Sequence, residues 1–139
     1  MDTIQVVAFR LGESTFAVDI MKVKEILKTQ PVTKLPVSDP SLLGVIKVRG
    51  KIVPVVDSRA KLGIENTDMN DDSRLLLVEK TGTTVGMLVD EVTEVLTINQ
   101  EQIEKAEDIG VSIENTGCII GVAKIEDKIM TFLDTDLLL

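Results

Sequence analysis

Twenty-three carboxylates and no histidine set the limits of what this chain can do chemically. Two of the carboxylates, Asp57 and Asp134, close apolar runs of the same kind, I-V-P-V-V-D at 52–57 and I-M-T-F-L-D at 129–134. A carboxylate pair can share general acid and general base work. At the end of an apolar run, however, an aspartate is more economically a helix cap or turn former. The lack of histidine excludes Ser-His-Asp triads and His-containing metal centres. Cys118 is a lone cysteine in an apolar run, which excludes a zinc ribbon or a redox pair and reads as a small buried core residue. Neither the G-x-x-x-x-G-K-[ST] nor the G-x-G-x-x-G phosphate loop occurs. The acidic run Glu65–Ser73, E-N-T-D-M-N-D-D-S, has neither the ligand spacing nor the glycine of a calcium loop, and reads as a solvated connector. The expectation is a protein with no catalytic activity, no cofactor and no metal.

The formal net charge of −8 argues against a nucleic-acid partner, which requires a basic surface. It also argues against direct binding to an anionic membrane. No signal peptide and no long apolar span is present, so a cytoplasmic location without membrane insertion is expected. A chain of 139 residues is read as a single domain over 1–139. With Phe9, Phe16 and Phe132 its only aromatic residues, the core must be built from Val, Ile and Leu, which favours sheet.

The elements follow from that pattern. Strands are expected over 3–11 and Thr15–Val18, joined by a turn at Gly12–Ser14. A short turn at Ile20–Met21 precedes a strand over Val23–Lys28, for which helical spacing over Ile20–Leu27 is the rival reading. Pro31, Pro36 and Pro40 then keep the chain extended, with a turn at Ser38–Ser41. The stretch Gly44–Gly63 reads as a hairpin turning at Arg49-Gly50-Lys51 and ending at Asp57 before a short helix. Pro54 inside its second strand points to a sheet edge or a bulge, because proline cannot donate to a ladder. A hairpin around Thr81-Gly82-Thr83, a strand over Val92–Ile98, a short helix over Gln100–Lys105 and a loop over Glu107–Gly117 come next. A hairpin turning at Glu126-Asp127 and a short helix capped by Asp134 or Thr135 finish the chain.

Much of this occurs twice. G-V-I-K-V-R-G-K-I-V-P-V-V-D at 44–57 aligns with G-V-A-K-I-E-D-K-I-M-T-F-L-D at 121–134, identical at six of fourteen positions. Upstream, Val18-Asp19 with V-K-E-I-L at 23–27 echoes Val89-Asp90 with V-T-E-V-L at 92–96. The order implies a duplicated unit of about five short strands. Approximate halves fall at 1–66 and 67–139, with boundaries free to interleave. Two sheets of that size are expected to curl into barrels and pack together at an apolar junction, with a groove beside that junction where another protein docks.

With these residues in view, the chain resembles the CheW family, the coupling proteins of bacterial chemotaxis. The resemblance rests on V-R-G-K-I-V-P-V-V-D-S-R at 48–59, F-R-L-G at 9–12, V-D-I-x-K-V-x-E-I-L at 18–27, V-G-M-L-V-D-E-V-x-E-V-L at 85–96, and G-V-A-K with L-D near the end. It implies an all-β fold with short helices, two intertwined five-stranded Src-homology-3-like barrels. It implies an adaptor joining the cytoplasmic tip of a methyl-accepting chemoreceptor to the regulatory domain of the histidine kinase CheA, recruited to membrane receptor arrays. The family's partner-binding positions fall on Val23, Glu25, Gly44, Arg49, Val92 and Val95. Alternatives are a paralogous adaptor in another receptor–kinase array, an isolated regulatory domain of a CheA-type kinase, and an enzyme using its carboxylates. The one turn at which the repeat breaks symmetry, Arg49-Gly50 against Glu126-Asp127, is where a partner contact is expected.

Overall fold

A computed structural model of the protein describes residues 2–64, 70–105 and 118–139. The connector expected over Glu65–Ser73 lies partly, and the loop over Glu107–Gly117 wholly, outside the described residues.

The apolar runs Val6–Phe9 and Phe16–Val18 make β1 (Thr3–Leu11) and β2 (Ser14–Asp19) a hairpin around Gly12. A single 3-10 turn over Ile20–Lys22, with Asp19 accepting from the Met21 amide, leads into β3 (Val23–Lys28), so strand wins over helix here. β4 (Leu42–Val48) and β5 (Lys51–Asp57) form the hairpin turning at Arg49-Gly50. β6 (Arg74–Lys80) pairs with β7 (Thr83–Val89), and β8 (Glu91–Asn99) follows. The helix expected over Gln100–Lys105 is instead a 3-10 turn, Gln100–Gln102, and a two-residue strand β9 (Glu104–Lys105). Asn99 and Gln102 cap the start of the turn reciprocally, and the turn ends at Ile103, which is already extended at φ −87° and ψ 115°. β10 (Ile119–Ile125) and β11 (Lys128–Leu133) make the last hairpin.

Two sheets result. One runs β8-β1-β2-β11-β10-β9 and the other β3-β6-β7-β5-β4. Each repeat therefore contributes its leading hairpin to the other repeat's sheet: β1 and β2 pair with β8 and β11, while β6 and β7 pair with β3 and β5. The all-β barrel architecture is as expected, with one sheet gaining β9 as a sixth strand. Its counterpart in the other sheet is the single bridge between Thr33 and Val45.

The hairpin strands at the centre are covered on both faces. Val7, Phe9 and Leu11 of β1 join Leu76, Val78 and Met87 in a core between the sheets. The alternate residues Val6 and Ala8 face Ala123, Met130 and Phe132 inside the first barrel. Leu75 and Leu77 of β6 likewise face Ile46, Val53 and Val55 inside the second. Period-two patterning with apolar residues in both phases is the signature of strands buried on both sides.

Two repeat features find a structural cause. Gly44 and Gly121 sit where the chain closes each barrel: a Cβ would lie 2.1 Å from the Thr33 carbonyl oxygen at one and 2.3 Å from that of Glu104 at the other. Asp57 and Asp134 cap α1 (Ser58–Leu62) and α2 (Thr135–Leu138), accepting from the amides of Arg59 at 3.0 Å and Asp136 at 2.9 Å. One expectation is corrected. Of the edge or bulge expected at Pro54, the edge is not found: β5 lies between β4 and β7. The irregularity in its pairing with β4 falls at Leu42–Gly44, opposite Val55 and Val56 rather than Pro54. The parallel pairing of β5 with β7 begins only at Val55, so the missing N–H of Pro54 falls where the two strands have already parted.

Candidate partner-docking groove

The parting of β5 from β7 at Pro54 opens a groove of about 700 Å³. Val48, Ile52 and Pro54 of the β4–β5 hairpin line one part of it, and Gly82, Thr83 and Thr84 of the β6–β7 turn line another. Ile52 is 72% exposed, second among the described large apolar side chains only to Met21. Lys24, Arg49 and Lys51 bring positive charge to this rim of a protein whose net charge is −8.

Arg49 occupies the first position of the β4–β5 turn with φ 48°, followed by Gly50 at 81°, the signs of a type I′ hairpin turn. That geometry carries the guanidinium over β3, where Nη1 and Nη2 donate to the two carboxylate oxygens of Glu25, Nη1 to Oε1 at 3.0 Å. The pair is bidentate, the arrangement that fixes an arginine's direction as well as its charge. The hydrogen bonds from Arg49 hold the Glu25 carboxyl below the usual carboxylate range, and Glu25 in turn raises the Arg49 guanidinium. Arg49 stays 73% exposed along its side chain, presented rather than buried.

The six sequence-predicted residues do not gather in one place. Glu25 and Arg49 meet at the groove. Val23 on β3 and Val92 on β8 are half-buried against the core between the sheets. Val95, 51% exposed, stands on β8, the outer strand of the other sheet. Gly44 is buried beneath Thr33, where barrel closure already demands a glycine.

Sequence reasoning missed Arg59. It is 4% exposed, with Nε and Nη2 donating to Asp57 and Nη1 to Asp90 Oδ1 at 3.0 Å. Asp90 Oδ2 then accepts from the Gly12 amide at 2.6 Å, so the network ties α1 to the β1–β2 turn across the two sheets. The available signal was Asp90 directly after the apolar run Val85–Val89: a carboxylate beside a buried strand needs a partner. Cys118, expected as a buried core residue, is instead half-buried against the core between the sheets, and that burial pushes its thiol above the ordinary range, away from nucleophile chemistry. No cluster of three potential metal ligands exists among the described residues.

The fold and groove define a double-barrel domain of the CheW-like class, and the description of the CheW-like domain matches residues 5–139. The chemotaxis protein CheW of Rhizobium meliloti (strain 1021) is 33% identical over 132 residues, 95% of this chain and 84% of that protein. CheW of Bacillus subtilis (strain 168) is 29% identical over 135 residues, 97% of this chain and 86% of that protein. The crystal structure of the scaffolding protein TtCheW from Thermoanaerobacter tengcongensis superposes with a TM-score of 0.90 at 34% identity, covering 99% of this chain and 92% of that one. The chain belongs to the CheW family of chemotaxis scaffold proteins.

Proposed function

We propose that this protein is a non-catalytic adaptor that couples the cytoplasmic tip of membrane chemoreceptors to the regulatory domain of the histidine kinase CheA. In this reading it works in the cytoplasm and is recruited to receptor arrays. One observation carries it: Glu25 and Arg49, 24 residues apart in sequence, are held as an exposed bidentate pair on a groove with an exposed isoleucine beside it. An apolar anchor beside an oriented arginine is the composition of a binding hot spot. Val23, Val92 and Val95, on the outer strands β3 and β8, are the further contact positions of this reading, with Gly44 supporting the β4–β5 hairpin from beneath. Among the described residues no helix is long and apolar enough to cross a membrane, consistent with recruitment through receptors.

The test is Arg49→Glu titrated separately against a receptor cytoplasmic-tip fragment and the kinase regulatory domain. Folding should be retained, and affinity for at least one partner should fall by about 1–3 kcal/mol. Unchanged isotherms with both would remove Arg49 from the docking surface, and no binding of either by the unaltered protein would end the adaptor reading.

A further inference from the structure

One wall of the groove is held in place from the other barrel. Thr81 opens the β6–β7 turn at φ 43°, a conformation that a β-branched residue rarely takes. Its amide donates to Asp136 Oδ1 at 3.4 Å, and the other oxygen of Asp136 pairs with Lys22 Nζ at 3.4 Å. Asp136 stands on α2, which follows β11 of the six-stranded sheet, whereas Thr81 lies between two strands of the five-stranded one. The next residues of the turn, Gly82, Thr83 and Thr84, line the groove, and Thr84 Oγ1 accepts from Lys24 Nζ at 3.1 Å beside Glu25. A continuous path thus runs from α2 through the strained turn to the residues around Arg49.

The repeat supplies the contrast. At the equivalent β1–β2 turn the left-handed position belongs to Gly12, which adopts φ 61° without strain, and its amide is taken by Asp90, itself anchored by buried Arg59. One corner between the barrels is a glycine turn tied by a buried network. The other is a strained threonine turn tied by a partly exposed carboxylate.

We propose that Asp136 is a positioning residue for the Arg49 groove: it pins the Thr81-Gly82 turn, and releasing the pin displaces the Thr83–Thr84 wall and Lys24 with it. The consequence for partner affinity rests on the docking role proposed above; the consequence for the turn does not.

Amide hydrogen exchange on the free protein tests the pin. Asp136→Ala should speed exchange at Thr81 by about fivefold, the worth of one hydrogen bond, speed it also at the Lys80–Thr83 pair that the turn closes, and leave Gly12 unchanged. Thr81→Asn places the Asn-Gly pair favoured in type I′ turns, and in the Asp136→Ala background it should restore slow exchange at the Lys80–Thr83 pair, though not at position 81, whose acceptor is gone. A carboxylate that merely stabilised α2 would not be rescued from Thr81. Unchanged exchange at Thr81 and Thr83, or failure of that rescue, overturns the proposal. Titration of the same two variants against the receptor-tip fragment and the kinase regulatory domain should show a severalfold loss of affinity that Thr81→Asn recovers. A loosened turn with unaltered affinity for both also overturns it. If the unaltered protein binds neither fragment, the docking reading fails while exchange still judges the pin. Should Asp136→Ala not fold, Lys22→Ala, which frees the other side of the carboxylate, must give a change of the same direction at Thr81.

Discussion

Replacing Gly44 by alanine should cost this protein a large part of its stability, and the size can be worked from the closure of the second barrel. The new Cβ would lie 2.1 Å from the Thr33 carbonyl oxygen and 2.8 Å from a methyl of Val32. Neither neighbour can yield cheaply. Thr33 exchanges both of its backbone hydrogen bonds with Val45, at 2.9 and 2.8 Å, and moving it far enough to relieve the clash breaks them. Two such bonds contribute about 1 kcal/mol each. Alanine at φ 148° adds about 1–2 kcal/mol, by analogy with other positive-φ positions. The expected loss is about 3–4 kcal/mol, against a total stability for such a domain of about 5–15 kcal/mol. With no tryptophan or tyrosine to report by fluorescence, urea unfolding followed by far-ultraviolet circular dichroism is the suitable assay. Gly121→Ala should meet the same closure clash, its Cβ 2.3 Å from the Glu104 carbonyl oxygen, but without the positive-φ cost, so its loss should be the smaller of the two. Gly50→Ala, with open space around it and φ 81°, should lose only about 1–2 kcal/mol. A loss below about 1 kcal/mol at Gly44, with the Thr33 and Val45 amides still protected from exchange, would refute the closure argument.

Arg59→Met removes the cation between Asp57 and Asp90 and should destabilise by about 3–5 kcal/mol in the same urea assay, because two buried carboxylates lose their counter-charge. Glu25 titrated by NMR should have its midpoint below the ordinary carboxylate range, and Arg49→Ala should return it upward. The folded-state value is depressed, so the pair's contribution is complete above the unfolded carboxylate's range and fades as pH falls through the folded midpoint. Ser58→Ala and Thr135→Val delete buried hydroxyls that find no hydrogen-bond partner among the described residues, and neither should lower the unfolding midpoint. A clear loss at either would reveal a partner for that hydroxyl.

The hairpins were legible because their signals are local. Arg49-Gly50 and Thr81-Gly82 place glycine where type I′ geometry wants it, and alternation marks the flanking strands. The repeat extended that reading to Glu126-Asp127, where both residues adopt positive φ without any glycine. The exchange of hairpins between sheets left no such trace. The parallel contacts of β5 with β7 and of β2 with β11 join segments that differ from any other apolar strands only in their partner. Pro54 misled for the same reason: its chemistry excludes a hydrogen bond on one side, which an inner strand satisfies if its neighbour has already diverged. At the groove, Arg49 was visible as the residue that breaks the repeat, and Glu25 entered only through the family resemblance. Their pairing required the fold. Arg59 was hidden because a charged residue in a short helix ordinarily faces water.

The crossing of the two hairpins also sets an order for the nascent chain. All strands of the five-stranded sheet lie between Val23 and Val89, so that barrel can close before the last third of the protein has been synthesised. The β1–β2 hairpin, made first, must wait for β8, β10 and β11, the last ending at Leu133. At ordinary elongation rates of about 5–20 residues per second, the interval from Val89 to Leu133 is roughly 2–9 s. For that time the β1–β2 hairpin presents Val6, Ala8 and Ala17 to solvent with no barrel of its own to enter. Aggregation during synthesis should therefore begin at the N-terminal hairpin, and a chaperone acting on this protein would meet β1 first.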